Sequence, residues 1–126
     1  MPIKKKIMVV DDDRDTRNLL NIFLRESGYD VLTAENGIKL VSAIQADKPD
    51  LVILDIMLQW ISGYDLCRSI RNNPELSGVK IFFLSGKTEV NDIRLGYDVG
   101  CDEYMTKPCD LKTLKDKIER HIGGAE

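Results

Sequence analysis

The chain has 126 residues, enough for one well-filled core and little more. Hydrophobic residues make up 43% and charged residues 31%, which excludes a disordered or fibrous chain. Its 18 basic and 21 acidic residues leave a formal charge of −3, so no basic excess favours direct contact with nucleic acid, and no apolar run approaches the ~20 residues that span a bilayer.

The first predicted strand runs from Lys5 to Val10 and meets Asp11-Asp12-Asp13. Lys4, Lys5 and Lys6 lead straight into it, which reads as a solubilising flank, not a signal peptide. Leu19, Leu20, Phe23 and Leu24 then fall at helical spacing, with Gly28 as a stop. Asp30 to Ala34 reads as a short strand, and Glu35-Asn36-Gly37 turns into a helix carrying Leu40, Val41 and Ile44. Leu51 to Leu54 is a continuous apolar strand that ends on Asp55, as expected where helices cover both sheet faces. A loop through Ser62-Gly63 leads to a helix with Leu66, Cys67 and Ile70. Ile81 to Leu84 is a second continuous strand and runs into Ser85-Gly86. A helix with Val90, Ile93, Leu95 and Tyr97 follows, then a strand from Glu103 to Thr106 that meets Lys107-Pro108. Leu111, Leu114, Ile118 and Ile122 form the inner stripe of the last helix.

Five strand–helix units with short connections predict an α/β fold: a doubly wound, five-stranded parallel sheet with helices on both faces, one domain over residues 1–126. Periodicity does not give the strand order. Cys67, Cys101 and Cys109 are odd in number and lack metal-ligand spacing, so they read as reduced thiols in a cytoplasmic protein, with Cys109 the candidate for reactivity.

In such sheets ligands bind at the carboxyl ends of the strands. Asp11, Asp12, Asp55, Ser85 and Lys107 all follow predicted strands, so carboxylates, a hydroxyl and an ammonium would share one rim. That set suits a divalent cation and a phosphoryl group. Each residue also has a plainer reading. Asp13 is suited to a helix N-terminus, Ser85-Gly86 to a turn, Lys107-Pro108 to a loop, and His121 to the surface or a helix C-terminus. Asp55 resists a plain reading, because a strand buried on both faces rarely ends on an unpartnered charge.

Val9-Val10-Asp11-Asp12-Asp13, Leu51 to Asp55, Ser85-Gly86 and Gly100 to Pro108 together resemble the receiver domain of bacterial response regulators, over nearly the whole chain. The resemblance implies the flavodoxin-like order 2-1-3-4-5. It implies Asp55 as phosphoacceptor and Mg²⁺ held by Asp12 and Asp55, with Asp11 acting through water and Met57 through its backbone carbonyl. Ser85, Gly86 and Lys107 would meet the phosphoryl oxygens, and Lys107-Pro108 would be a cis peptide. Ser85 and Tyr104 would form the switch that reshapes the face of the fourth helix, fifth strand and fifth helix. The implied partners are a sensor histidine kinase or histidine phosphotransfer protein and a downstream protein target. Such a protein is not a conventional enzyme, although it catalyses its own aspartyl phosphorylation and dephosphorylation. The chain stops at Glu126, which suggests a stand-alone receiver without direct nucleic-acid contact or membrane insertion.

Departures lie between Asp55 and Gly63. Leu58-Gln59 and Trp60-Ile61-Ser62 stand where the family usually has Met-Pro and a later Asp. Trp60 is expected either to pack on neighbouring apolar residues or to dock a partner. A flavin binder of similar architecture would want a phosphate-cradling loop where this chain has three acids. An aspartyl-phosphate phosphatase would often place a second Asp where this chain has Met57. A degenerate receiver that binds partners without phosphate is the remaining alternative, and the complete acid, hydroxyl and lysine set speaks against it.

Overall fold

Alternating strands and helices order the chain, in a computed structural model that describes residues 4–124. The strands are β1 (Lys6–Val10), β2 (Asp30–Ala34), β3 (Leu51–Leu54), β4 (Lys80–Ser85) and β5 (Glu103–Thr106). The helices are α1 (Arg14–Glu26), α2 (Gly37–Ala46), α3 (Gly63–Asn72), α4 (Val90–Asp98) and α5 (Leu111–Ile122). A short 3-10 turn over Pro74–Leu76, capped by Asn73, lies between α3 and β4 and has no counterpart in the sequence reading.

The strands pair in parallel in the order β2-β1-β3-β4-β5, as the resemblance implies. Strand alternation sorts the core into two layers. Met8, Val10, Val52, Leu54, Ile81 and Phe83 face Leu40, Ile44, Leu66 and Ile70. Ile7, Val9, Leu51, Ile53, Phe82 and Leu84 face Leu20 and Leu24 of α1 and Leu114 and Ile118 of α5. The central strands are buried on both sides, which is why their sequences are continuously apolar. Each fully buried aliphatic or aromatic side chain contributes about 1.5–3 kcal/mol to this packing.

Side chains start and stop the helices. Asp13 caps α1, as expected: its carboxylate accepts from the Asp15 N–H at 3.3 Å and the Thr16 hydroxyl at 2.6 Å. Asn36 and Ser62 cap α2 and α3 in the same way. The apolar residues noted in α4 are not what it buries. Val90, Leu95 and Tyr97 are exposed, and the helix buries Gly96 instead. A Cβ at position 96 would lie 2.7 Å from the Tyr104 ring and 3.3 Å from the Phe83 ring, so α4 approaches the sheet through a missing side chain.

Candidate functional site

Register brings the acids together. Val10 pairs with Leu54, so the next residues on the neighbouring strands β1 and β3 are Asp11 and Asp55. The Asp55 N–H donates to the Val10 carbonyl at 2.9 Å, and the Asp11 N–H to the Ala34 carbonyl at 3.2 Å. Both aspartates are buried, while Asp12 is exposed beside them. One carboxylate oxygen from each of Asp11, Asp12 and Asp55 lies within 4.8 Å of the others. An all-oxygen set at this spacing fits a hard divalent cation such as Mg²⁺.

Ser85 pairs with Thr106, so Lys107 leaves β5 beside the end of β4. The Lys107 N–H donates to the Ser85 carbonyl at 2.9 Å, and Lys107-Pro108 is cis, as the resemblance implies. The Lys107 ammonium lies 2.8 Å from Asp11 Oδ2 and 3.2 Å from Asp55 Oδ2. It therefore bridges the two buried carboxylates, a pairing that sequence reasoning did not foresee for Asp11. Burial is the largest influence on Asp11 and raises its carboxyl above the ordinary range despite the opposing hydrogen bond from Lys107. Burial alone would lower the Lys107 ammonium, but Asp11 and Asp55 together hold it above its usual value.

Met57 stands at the rim, its N–H donating to Asp55 Oδ1 at 3.2 Å while its side chain points into solvent. Ser85 is fully buried, and its hydroxyl accepts from the Lys87 N–H at 3.2 Å. Gly86 follows it on the exposed loop. Tyr104 is half-buried. Its ring packs at 6.0 Å from Phe83 and its hydroxyl donates to the Lys87 carbonyl at 2.7 Å. Ser85 and Tyr104 are thus tied to the same residue of the β4–α4 loop. An open depression of about 480 Å³ beside the acids is lined by Asp12, Met57, Tyr64 and Lys87, among others.

Three features escaped the sequence. Gly63 lies against the Asp55 carbonyl, where a Cβ would come within 2.4 Å, so the start of α3 touches the backbone that carries Asp55. His121 stands in the last turn of α5, as one of its two plain readings has it, but its pairing was not foreseen: its Nε2 lies 2.8 Å from Glu103 Oε2 and its ring packs edge-on to Phe82. Trp60 does not pack on apolar neighbours; it is 73% exposed and holds a left-handed backbone with φ of 71°. Buried Cys67 and Cys101 are pushed up to about 11 and about 12 by desolvation, and burial also raises the Cys109 thiol, which removes the basis for expecting reactivity there.

The doubly wound sheet thus carries clustered acids, a buried hydroxyl and a lysine on one rim, the arrangement of a receiver domain. The chain matches the response regulator receiver domain over residues 7–119 and belongs to that family. It is 37% identical over 120 residues to the DNA-binding response regulator MtrA of Mycobacterium tuberculosis, covering 95% of this chain and 51% of that protein. It is 37% identical over 124 residues to the alkaline phosphatase synthesis transcriptional regulatory protein PhoP of Bacillus subtilis, covering 98% and 51%. A two-component response regulator structure from Clostridium difficile superposes with a TM-score of 0.89 at 30% identity, covering 94% of this chain and 96% of the other.

The chain spans about half the length of these curated relatives. Their names correct the expectation that nucleic acid is excluded. The charge balance of one receiver does not report what a regulator containing it binds, and the end of the sequence at Glu126 cannot carry that conclusion. Among the described residues no helix is long and apolar enough to cross a membrane.

Proposed function

We propose that this receiver accepts a phosphoryl group on Asp55 from a phosphohistidine of a sensor histidine kinase or histidine phosphotransfer protein, in the cytoplasm. The observation that supports this most is the convergence of three carboxylate oxygens within 4.8 Å with Lys107 between two of them. In the transfer the phosphorus–nitrogen bond breaks as a bond to an Asp55 carboxylate oxygen forms, and the histidine nitrogen takes up the electron pair. Asp55 supplies the nucleophilic carboxylate oxygen.

Asp12 and Asp55 would hold Mg²⁺, with Asp11 acting through water and Met57 through its carbonyl. Bound there, Mg²⁺ would offset the clustered negative charge and that of the phosphoryl oxygens. Lys107 is then free to turn from Asp11 toward the phosphoryl group, where its charge and the Ser85 hydroxyl and Gly86 N–H stabilise the equatorial oxygens. Exposed Leu19 and Ile22 of α1, and an apolar cavity of about 440 Å³ that reaches Lys107 and Pro108, offer a seat for the helix that bears the histidine.

Output follows from the shared anchor at Lys87. When Ser85 turns to a new oxygen, it releases the Lys87 N–H, and the loop that holds the Tyr104 hydroxyl is freed to move. The exposed face of α4 and β5 then changes its presentation to a downstream target. In the DNA-binding relatives such a receiver stands within a regulator of transcription, and control of a linked or docked output unit is the role we assign here. The test is incubation with acetyl phosphate and Mg²⁺ followed by intact-mass measurement. One phosphoryl group should be added to the wild type and none to Asp55→Asn. Full labelling of the variant overturns the assignment.

A further inference from the structure

Asp11 is held at every polar group. Its N–H and two carboxylate oxygens engage Ala34, Asp13 and Lys107, and its carbonyl oxygen accepts from Arg17 Nη1 at 2.8 Å. That carbonyl belongs to the peptide that joins Asp11 to Asp12. Asp12 itself is exposed, and its carboxylate makes no hydrogen bond among the described residues. Its direction therefore depends on the backbone that carries it. Arg17 sits in the second turn of α1, within a helix anchored by the Asp13 cap, so its guanidinium ties that peptide to a rigid element. It also stands near the β2–α2 loop: Lys39 is the main cause that holds the Glu35 carboxyl below its usual range, and Arg17 adds to it.

We propose that Arg17 is a positioning residue for the acidic rim, fixing the Asp11–Asp12 peptide so that the Asp12 carboxylate is presented toward Asp55 before a cation arrives. The inference rests on reading the rim as a Mg²⁺ site. Its charge and its hydrogen bond act in opposite directions. A guanidinium bonded to the Asp11 carbonyl adds positive charge near the rim and disfavours an incoming divalent cation, so loss of charge alone would tighten Mg²⁺ binding. Loss of the hydrogen bond frees the peptide and weakens binding. Groups that orient metal ligands from behind typically change affinity about 10–100-fold. The positioning effect should therefore exceed the charge effect. Lysine keeps the charge but offers a single flexible donor in place of the planar fork, so it should rescue only part of the loss.

The test is a calorimetric Mg²⁺ titration of wild type, Asp12→Ala, Arg17→Ala, Arg17→Met and Arg17→Lys, with amide hydrogen exchange on the metal-free proteins. Arg17→Met keeps the aliphatic stem and decides the matter should Arg17→Ala fail to fold. Positioning requires Mg²⁺ affinity about tenfold weaker in Arg17→Ala and Arg17→Met, partial recovery in Arg17→Lys, and faster exchange of the Asp13 amide, which donates to Asp11 Oδ1. Unchanged or tighter Mg²⁺ binding in Arg17→Met, with Asp12→Ala deficient, overturns the role of Arg17 and leaves the metal site standing. Absence of binding in the wild type, or wild-type binding by Asp12→Ala, overturns the metal reading and this inference with it.

Discussion

The two rims of the sheet treat charge in opposite ways. At the amino ends of the strands Asp50, Asp102 and Glu103 are partnered. Asp50 Oδ2 accepts from the Lys6 N–H at 2.8 Å, and Lys6 pairs in turn with Asp47. Asp102 Oδ2 takes both the Arg71 guanidinium at 2.7 Å and the Ile81 N–H at 2.8 Å. Glu103 is held by Lys117 and His121, each at 2.8 Å. At the carboxyl ends Asp11 and Asp55 share one ammonium, and Asp12 beside them has no ion-pair partner among the described residues. One rim closes the fold, and the other keeps an unbalanced charge, which we propose a cation and a phosphoryl group complete.

The contrast breaks most visibly at Arg71. Its guanidinium also donates to the Gly100 carbonyl at 2.8 Å and the Val79 carbonyl at 2.5 Å, so one side chain ties α3 to the starts of β4 and β5. Arg71→Ala strips partners from a largely buried carboxylate and two carbonyls, and urea denaturation should show a loss of about 3 kcal/mol. A loss below ~1 kcal/mol would mean that this rim is not the stabilising one.

A smaller effect is expected between the rims, where α4 leans on Tyr104. Gly96→Ala places a methyl group 2.7 Å from the Tyr104 ring. Overpacking of about 1–3 kcal/mol should outweigh the ~1 kcal/mol helix gain, and Tyr104 should leave the Lys87 carbonyl. Tyrosine ring resonances report the displacement. Ring shifts identical to wild type would show that Gly96 does not seat the switch residue.

At the carboxyl rim the sign reverses. Without metal, Asp12→Ala removes a like charge from a crowded site and should raise Tm by about 3 °C, the scale of an exposed charge repulsion of ~0.5–1 kcal/mol in a domain of this size. A lower Tm would contradict the view that this rim is electrostatically destabilising.

The smallest effect is a pH dependence at the amino rim. Burial would raise the Glu103 carboxyl, but hydrogen bonds from Lys117 and His121 outweigh it and hold the group below its ordinary value of 4.5. The folded value lies below the unfolded one, so the group's stabilisation is present above 4.5 and fades as pH falls through the folded value. Glu103→Gln should therefore be less stable than wild type at neutral pH, and the two should converge in acid. A gap that widens in acid would refute the pairing.

How much of this was legible depends on what each element uses to pack. The continuous apolar runs of β3 and β4, and the stripes of α3 and α5, announce themselves because burial there is by large side chains. The packing of α4 was not legible because its contact is made by Gly96, which hydropathy does not register. The acids were legible because each follows a strand, and parallel register makes strand ends neighbours. The bridge from Lys107 to Asp11, the hold of Arg17 on the Asp11 carbonyl and the Glu103–His121 pair join residues far apart in sequence, and no local pattern encodes them.

Both the unbalanced rim and its proposed use meet in one measurement, a calorimetric Mg²⁺ titration paired with thermal melting of the wild-type protein. One ion should bind per chain, and Tm should rise saturably as the ion offsets the shared charge of Asp11, Asp12 and Asp55. Absence of binding heat together with a Tm indifferent to Mg²⁺ would contradict it.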